Sequence, residues 1–211
     1  MNVSKLVMKK MMRHTKLSLN KYIFLNIYKK IYTIYFIMDE SNDVGSPCAV
    51  EHPLHDKWVL WAHLPHDTDW SLKSYIKITE LDTLEKVISL NNSVPGQMIK
   101  NCMLFLMRKD ITPTWEDPKN QNGGCFSFKI MNKKIVSVWK NLSYVLTGET
   151  ISNDPKFLES INGITISPKK SFCILKIWMK DLDYQNPRAI TTEIDGLTLT
   201  GCLFKKHKPS N

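Results

Sequence analysis

Apolar and polar side chains begin to alternate with a period of two at Lys57. In Lys57-Trp58-Val59-Leu60-Trp61-Ala62-His63-Leu64, one face carries Trp58, Leu60 and Ala62 and the other Val59, Trp61 and His63, the pattern of a central strand. Pro65-His66-Asp67-Thr68-Asp69 is a turn-rich loop ending on Trp70, and Tyr75-Ile76-Lys77-Ile78 resumes an extended pattern. The period then changes. Leu81, Leu84, Val87 and Ile88 recur at helical spacing behind Asp82 and Thr83, which predicts a helix over 83–91 ended by Asn91-Asn92-Ser93-Val94-Pro95-Gly96. Strands are predicted at 102–107 and 125–130, on either side of a loop over 110–124 whose length is of the functional kind. Ile135, Val138, Trp139, Leu142, Val145 and Leu146 form the apolar stripe of a second helix with Gly148 as its C-cap. Strands at 161–167 and 172–179 flank Pro168-Lys169-Lys170, and a short helix over 188–193 precedes a last strand over 197–204. Strands mostly follow one another and helices are few. The expected fold class is therefore α+β: one domain, a curved and largely antiparallel sheet with helices on its convex face.

None of these periods reaches the first 50 residues. Tyr22 to Met38 is apolar and aromatic, but Lys29 and Lys30 split it into runs too short for a bilayer core, and Tyr35-Phe36-Ile37-Met38 offers no small-residue cleavage site. Three readings stay open for this segment: a disordered extension, a translated leader upstream of a start at Met38, and an amphipathic membrane-surface stretch. Asp39 to Pro47 is polar and broken by Gly and Pro, so residues 1–50 are expected outside the fold and 51–211 within it.

Charge changes the picture once its distribution is seen. The chain of 211 residues has 29 basic and 20 acidic side chains, net +9, but residues 1–38 hold eight of the basic ones and no acid. From Asp39 onward 21 basic face 20 acidic residues, a net +1, so any nucleic acid is expected to be held by a few placed side chains rather than a broad basic surface. Five scattered cysteines with no C-x-x-C point to a reducing compartment, expected to be the cytoplasm. His52/His55 and His63/His66 form two H-x-x-H pairs, but a strand between them about 25 Å long keeps them from sharing one ion, so no metal site is expected. No G-x-S-x-G, no P-loop and no carboxylate pair beside a nucleophile is present, and no enzyme or cofactor is expected.

Two motifs carry a family resemblance. His52-Pro53-Leu54-His55-Asp56-Lys57-Trp58-Val59-Leu60-Trp61 resembles the H-P-L-x-x-x-W-x-L-W opening strand of the messenger-RNA cap-binding factors of translation initiation, the eukaryotic initiation factor 4E family. Thr114-Trp115-Glu116-Asp117-Pro118-Lys119-Asn120-Gln121-Asn122-Gly123-Gly124 is similar to its W-E-D-x-x-N-x-x-G-G loop. Leu81 to Glu85 resembles the start of the first helix, Trp139 through Glu149 the second, and Ile177-Trp178 a later strand, so the match runs from about residue 52 to 180.

The resemblance implies binding of the 7-methylguanosine cap in translation initiation, by a cytoplasmic monomer without membrane attachment. Trp70 and Trp115 would stack on the two faces of the base, Glu116 would read its Watson–Crick edge, and Trp178 would touch the methyl group. Stacking and cation–π attraction suit a flat cationic ring, and a carboxylate can accept from guanine N1–H and N2–H together. Lys169 stands where the family has a phosphate-binding arginine. Ser171, Ile174 and Cys125 stand where other cations are usual, with Lys170, Lys176, Lys205, Lys206 and Lys208 as candidate substitutes. For a scaffold or repressor protein docking on the convex face, His52, Pro53, Leu54 and Leu84 match. Ile88 replaces the usual tryptophan, and Lys140 and Tyr144 replace leucines. The alternatives are a cap-sequestering repressor that recruits no usual scaffold, and an interaction protein that binds no cap.

Overall fold

The structure is a computed structural model, which describes residues 51–65 and 67–207; the expectations for residues 1–50, His66 and Lys208 fall outside them. Seven strands form one curved antiparallel sheet: β1 (Pro53–His63), β2 (Ile76–Thr83), β3 (Met103–Arg108), β4 (Gly124–Met131), β5 (Ile161–Pro168), β6 (Phe172–Met179) and β7 (Leu203–Lys206), in the order β2-β1-β3-β5-β6-β4-β7. The helices are α1 (Leu84–Ser93), α2 (Gly96–Asn101), α3 (Ile135–Thr147) and α4 (Pro155–Ser160). Among the described residues no helix is long and apolar enough to cross a membrane.

The alternation read from β1 sorts the two faces. Trp58, Leu60 and Ala62 join Leu104, Leu106, Phe126, Phe128, Ile164, Ile166, Leu175 and Ile177 in the main core, which Val87 and Leu90 of α1 and Val138, Trp139, Leu142 and Leu146 of α3 cover. The two long helices are tied together where their backs meet: the buried Asn91 amide donates to Ser143 Oγ at 2.9 Å. On the opposite face Phe105, Met107, Ile111 and Trp178 make a second, smaller cluster, with Trp61, Tyr75 and Met103 against it.

Two local expectations are corrected and two local features are added. The last strand is Leu203–Lys206, not 197–204, because Gly196 and Gly201 adopt φ of 91° and 80° and break the extended run; Leu197 and Leu199 pack half-buried against the core instead. The helix expected over 188–193 is one 3-10 turn, Pro187–Ala189, capped by the Asn186 side chain. Two helices of six residues, α2 and α4, are too short to declare a period. Gly148 does cap α3, but with φ −86°; the left-handed position is Glu149, φ 52°. Glu149 N–H bonds Leu146 O at 3.2 Å and Thr150 N–H bonds Val145 O at 2.8 Å, closing a Schellman turn without the usual glycine.

Candidate functional site

The loop between β3 and β4 is built on its own side chains. Asp117 accepts from Thr112 N at 2.7 Å, Thr112 Oγ1 at 2.6 Å and Lys119 N at 2.8 Å. Burial works against that carboxylate's charge, yet the Thr112 and Lys119 bonds outweigh it and its pKa lies below the usual value. Asn120, fully buried, donates to the carbonyls of Thr112 and Thr114 at 3.0 and 2.8 Å and accepts from Asn162 of β5 at 2.9 Å. Gly123 follows because no side chain fits: a Cβ there would lie 1.8 Å from Met179 O. Asp117 and Asn120 thus anchor the loop, while Trp115, 45% exposed, and Glu116 are left at its surface.

Trp70 approaches from the β1–β2 connection. It is 57% exposed and stacks flat on the buried His63 ring, centroids 4.2 Å apart and planes 1° from parallel. His63 Nε2 donates to Asp69 O at 2.9 Å, so the ring is tied to the backbone beside the tryptophan it supports. Tyr75 meets His63 edge-on at 5.1 Å and Phe105 at 5.3 Å. Burial, and after it the nearby Glu116 carboxylate, raise the Tyr75 phenol above its ordinary pKa. Trp70, His63, Tyr75 and Glu116 therefore form one connected patch above the second cluster. Trp178 belongs to that cluster, 6% exposed, with its indole N–H donated to Thr165 Oγ1 at 2.7 Å.

Register places further groups on the same face. From β2 to β7 one row reads Glu80, Val59, Met107, Gly163, Trp178, Cys125, Lys205, and the next Lys77, Trp61, Phe105, Thr165, Lys176, Ser127, Leu203. Lys176 and Lys205 flank Trp178. Lys169 and Lys170 lie exposed in the β5–β6 turn, roughly 20 Å along β6 from Trp178. Three side chains of this face were not assigned to the site from sequence: His63, Tyr75 and His207. The period of two in β1 already sets His63 on the face of Trp61, though not under Trp70. His207 carried no signal. Its ring lies tilted on Trp178 at 4.6 Å, and burial followed by the Lys176 charge lowers its pKa to about 4.

The residues expected to meet a partner lie on the helical side. Leu84 N–H bonds His52 O at 2.9 Å, and His52 Nδ1 meets Glu85 Oε1 at 2.7 Å; the His52 ring, then the backbone N–H groups of Glu85 and His52, hold the Glu85 carboxyl at about 2. Leu84 and Ile88 are 40% and 42% exposed, Pro53 is exposed, and Leu54 and Tyr144 pack half-buried on the core edge, with Lys140 half-buried on α3. His55, Asp56 and Glu149 each bring one ligand atom within 4.8 Å of the others, a spacing that could hold an ion. The Arg108 guanidinium pairs with both carboxylates and makes the group a charge network.

Comparison with known proteins fits this arrangement. The family model described as Eukaryotic initiation factor 4E matches residues 53–210. The chain belongs to the eukaryotic initiation factor 4E family. The initiation factor 4E of Eremothecium gossypii is 31% identical over 153 residues, 69% of each chain. An initiation factor 4E homolog of Acanthamoeba polyphaga mimivirus is 47% identical over 63 residues, 30% of this chain and 23% of that one. A schistosome initiation factor 4E, solved with m7GpppG and 4E-BP, superposes with a TM-score of 0.58 at 26% identity, covering 64% of this chain and 75% of that one.

Proposed function

We propose that this member of the initiation factor 4E family binds the 7-methylguanosine cap of messenger RNA in translation initiation, with the cationic base between Trp70 and Trp115. The reading is supported chiefly by one observation: two tryptophans are about half exposed, Trp70 stacked on the buried His63 ring and Trp115 next to Glu116, whose carboxylate acts on Tyr75 of the Trp70 patch. An indole face left open to solvent can take a stacked base, and each stacked base contributes about 1–3 kcal/mol. Glu116 accepts from guanine N1–H and N2–H, and methylation at N7, by making the base positive, strengthens those bonds. Trp178 takes the methyl edge.

Retention on immobilised cap analogue, with elution by 7-methyl-GDP and not by GDP, tests the reading. Trp70→Ala and Trp115→Ala should each lose at least about tenfold in affinity, about 1.4 kcal/mol. Glu116→Gln should lose more against the methylated than the unmethylated nucleotide. Wild-type affinity in both tryptophan variants would end this site assignment.

The convex face favours a particular form of this function. Ile88, exposed and small, and the cation Lys140 occupy the surface where α1 and α3 would receive a scaffold or repressor helix. A chain that holds caps while engaging the usual scaffold weakly acts on translation as a cap-sequestering repressor.

A further inference from the structure

Trp70 has one face in use before any ligand arrives. Its indole lies flat on the His63 ring at 4.2 Å while the residue stays more than half exposed, so the covered face is the His63 side and the other is open to solvent. His63 is held from several directions. It is the buried last residue of β1, paired in register with Met103 of β3, and Tyr75 meets its ring edge-on. Its Nε2 donates to Asp69 O at 2.9 Å, and since a carbonyl only accepts, that nitrogen carries a proton whether the ring is neutral or charged. The backbone on both sides of Trp70 is fixed as well: Asp69 N–H donates to Asp67 Oδ1 at 3.0 Å, Ser71 N–H to Asp69 Oδ1 at 2.8 Å, and Ser74 Oγ to Ser71 O at 2.8 Å.

We infer that His63 is a positioning residue that presets Trp70 for a cationic base and makes its binding depend on pH: the base lands on the indole face turned away from His63, and a second proton on His63 opposes it. The inference rests on the cap-binding reading for the identity of the base. The layers are then His63, Trp70, base and Trp115. A platform already in place spares binding the cost of ordering an exposed side chain. The charge effect is one of distance. One further stacking distance of about 4 Å puts the base about 8 Å from the imidazole, with the indole between them. A protonated imidazole there repels a base carrying the N7-methyl charge and not a neutral guanine. The other charged or titratable groups around the ring are Asp67, Asp69 and Lys73 of the β1–β2 connection, Tyr75, Lys77 at the start of β2, and Glu116 of the Trp115 loop. None of these is a layer of the stack, so replacing the imidazole alone isolates its charge.

The test is calorimetric titration of the full-length protein and its variants with 7-methyl-GTP at pH 7 and pH 5, with GTP as the control for the cap reading. His63→Phe keeps a ring under Trp70 and removes the titration, so at pH 7 it should bind within about threefold of wild type. From pH 7 to pH 5, wild type should lose at least about threefold more affinity than His63→Phe, a comparison that cancels the titration of the nucleotide itself. His63→Ala leaves the indole unsupported and should lose at least about tenfold at pH 7. Added to Trp70→Ala it should cost less than about twofold more, because the histidine acts through the tryptophan. Thermal midpoints identify a His63→Ala protein that is merely unfolded, and His63→Phe then decides. Equal pH dependence in wild type and His63→Phe would overturn the inference, as would additive losses in the double variant or wild-type affinity in a folded His63→Ala. If wild type prefers 7-methyl-GTP over GTP while the His63 variants match it, this inference alone falls. If wild type binds the two nucleotides alike, the cap reading fails and takes this inference with it.

Discussion

Asn120 has every polar atom of its side chain in use, and the loop that presents Trp115 and Glu116 hangs on it. Asn120→Ala leaves two carbonyls and the Asn162 amide to find other partners. The expected cost is about 1–3 kcal/mol, seen as a lower unfolding midpoint, together with weaker binding of 7-methyl-GTP although no proposed contact has been touched. A midpoint within a degree of wild type would show that the loop holds by other means. His207 sets a pH dependence. Its folded pKa, about 4, lies below the 6.5 of an exposed imidazole, so between those values the unfolded chain binds the extra proton. Stability should be complete above about pH 6.5 and fall as the pH drops toward 4. Thermal unfolding from pH 7 to pH 5 should lower the wild-type midpoint more than that of His207→Phe, which keeps a ring on Trp178 and removes the titration. The depressed carboxylates Glu85 and Asp117 lose their contributions chiefly below about pH 4.5, under the pH 7 to 5 range of that measurement.

Helices α1 and α3 each do two jobs that their faces keep apart. Inward, Val87, Leu90, Val138, Trp139 and Leu142 cover the sheet; outward, Leu84 and Ile88 stand open with Lys140 alongside on α3. A partner helix of the family kind meets there a surface with a branched aliphatic side chain where an indole would give a broad aromatic anchor. Such anchors are worth about 2 kcal/mol or more, so a scaffold peptide of the usual type should bind at least about thirtyfold below family members that keep the tryptophan. Ile88→Trp with Lys140→Leu should raise that affinity, since both positions are open enough to accept the change without repacking the core. Calorimetry giving the unmodified protein ordinary family affinity would restore the standard initiation role and remove the ground for a repressor.

At the scale of the whole molecule, the sheet would separate the two proposed kinds of recognition by its own thickness. The proposed nucleotide site faces the side of Phe105, Met107 and Trp178, and the proposed partner surface lies on the other, over the helices. The near-neutral body from Asp39 onward suits this division, because neither side depends on a broad basic surface. Arg108 ties together the helical side at the end of β3: it donates to the carbonyls of Ile161 and Leu158, pairs with Asp56 and Glu149, and lies over Trp58 at 4.9 Å. Five backbone and side-chain elements therefore meet at one guanidinium.

Much of this was legible in the residues alone. The alternation in β1 assigned Trp58 and Trp61 to opposite faces, the stripe in α3 marked its buried side, and Trp115-Glu116 with Asp117 and Asn120 marked the loop. These are local patterns, dictated by the periods of strand and helix and by side chains that bond their own loop. Short helices, the glycine-broken run before β7 and the left-handed Glu149 were not legible, because fewer than two turns show no period and tertiary packing decides such segments. The site's supporting residues are of a different kind. His63 under Trp70, His207 over Trp178, and Lys176 and Lys205 in neighbouring rows are separated by as many as 144 positions, and only strand pairing brings them together. Register across a sheet is a long-range property, set by which faces must be buried, so the neighbours His63 and His207 came from the fold, while the candidate tryptophans, glutamate and lysines were named from the chain.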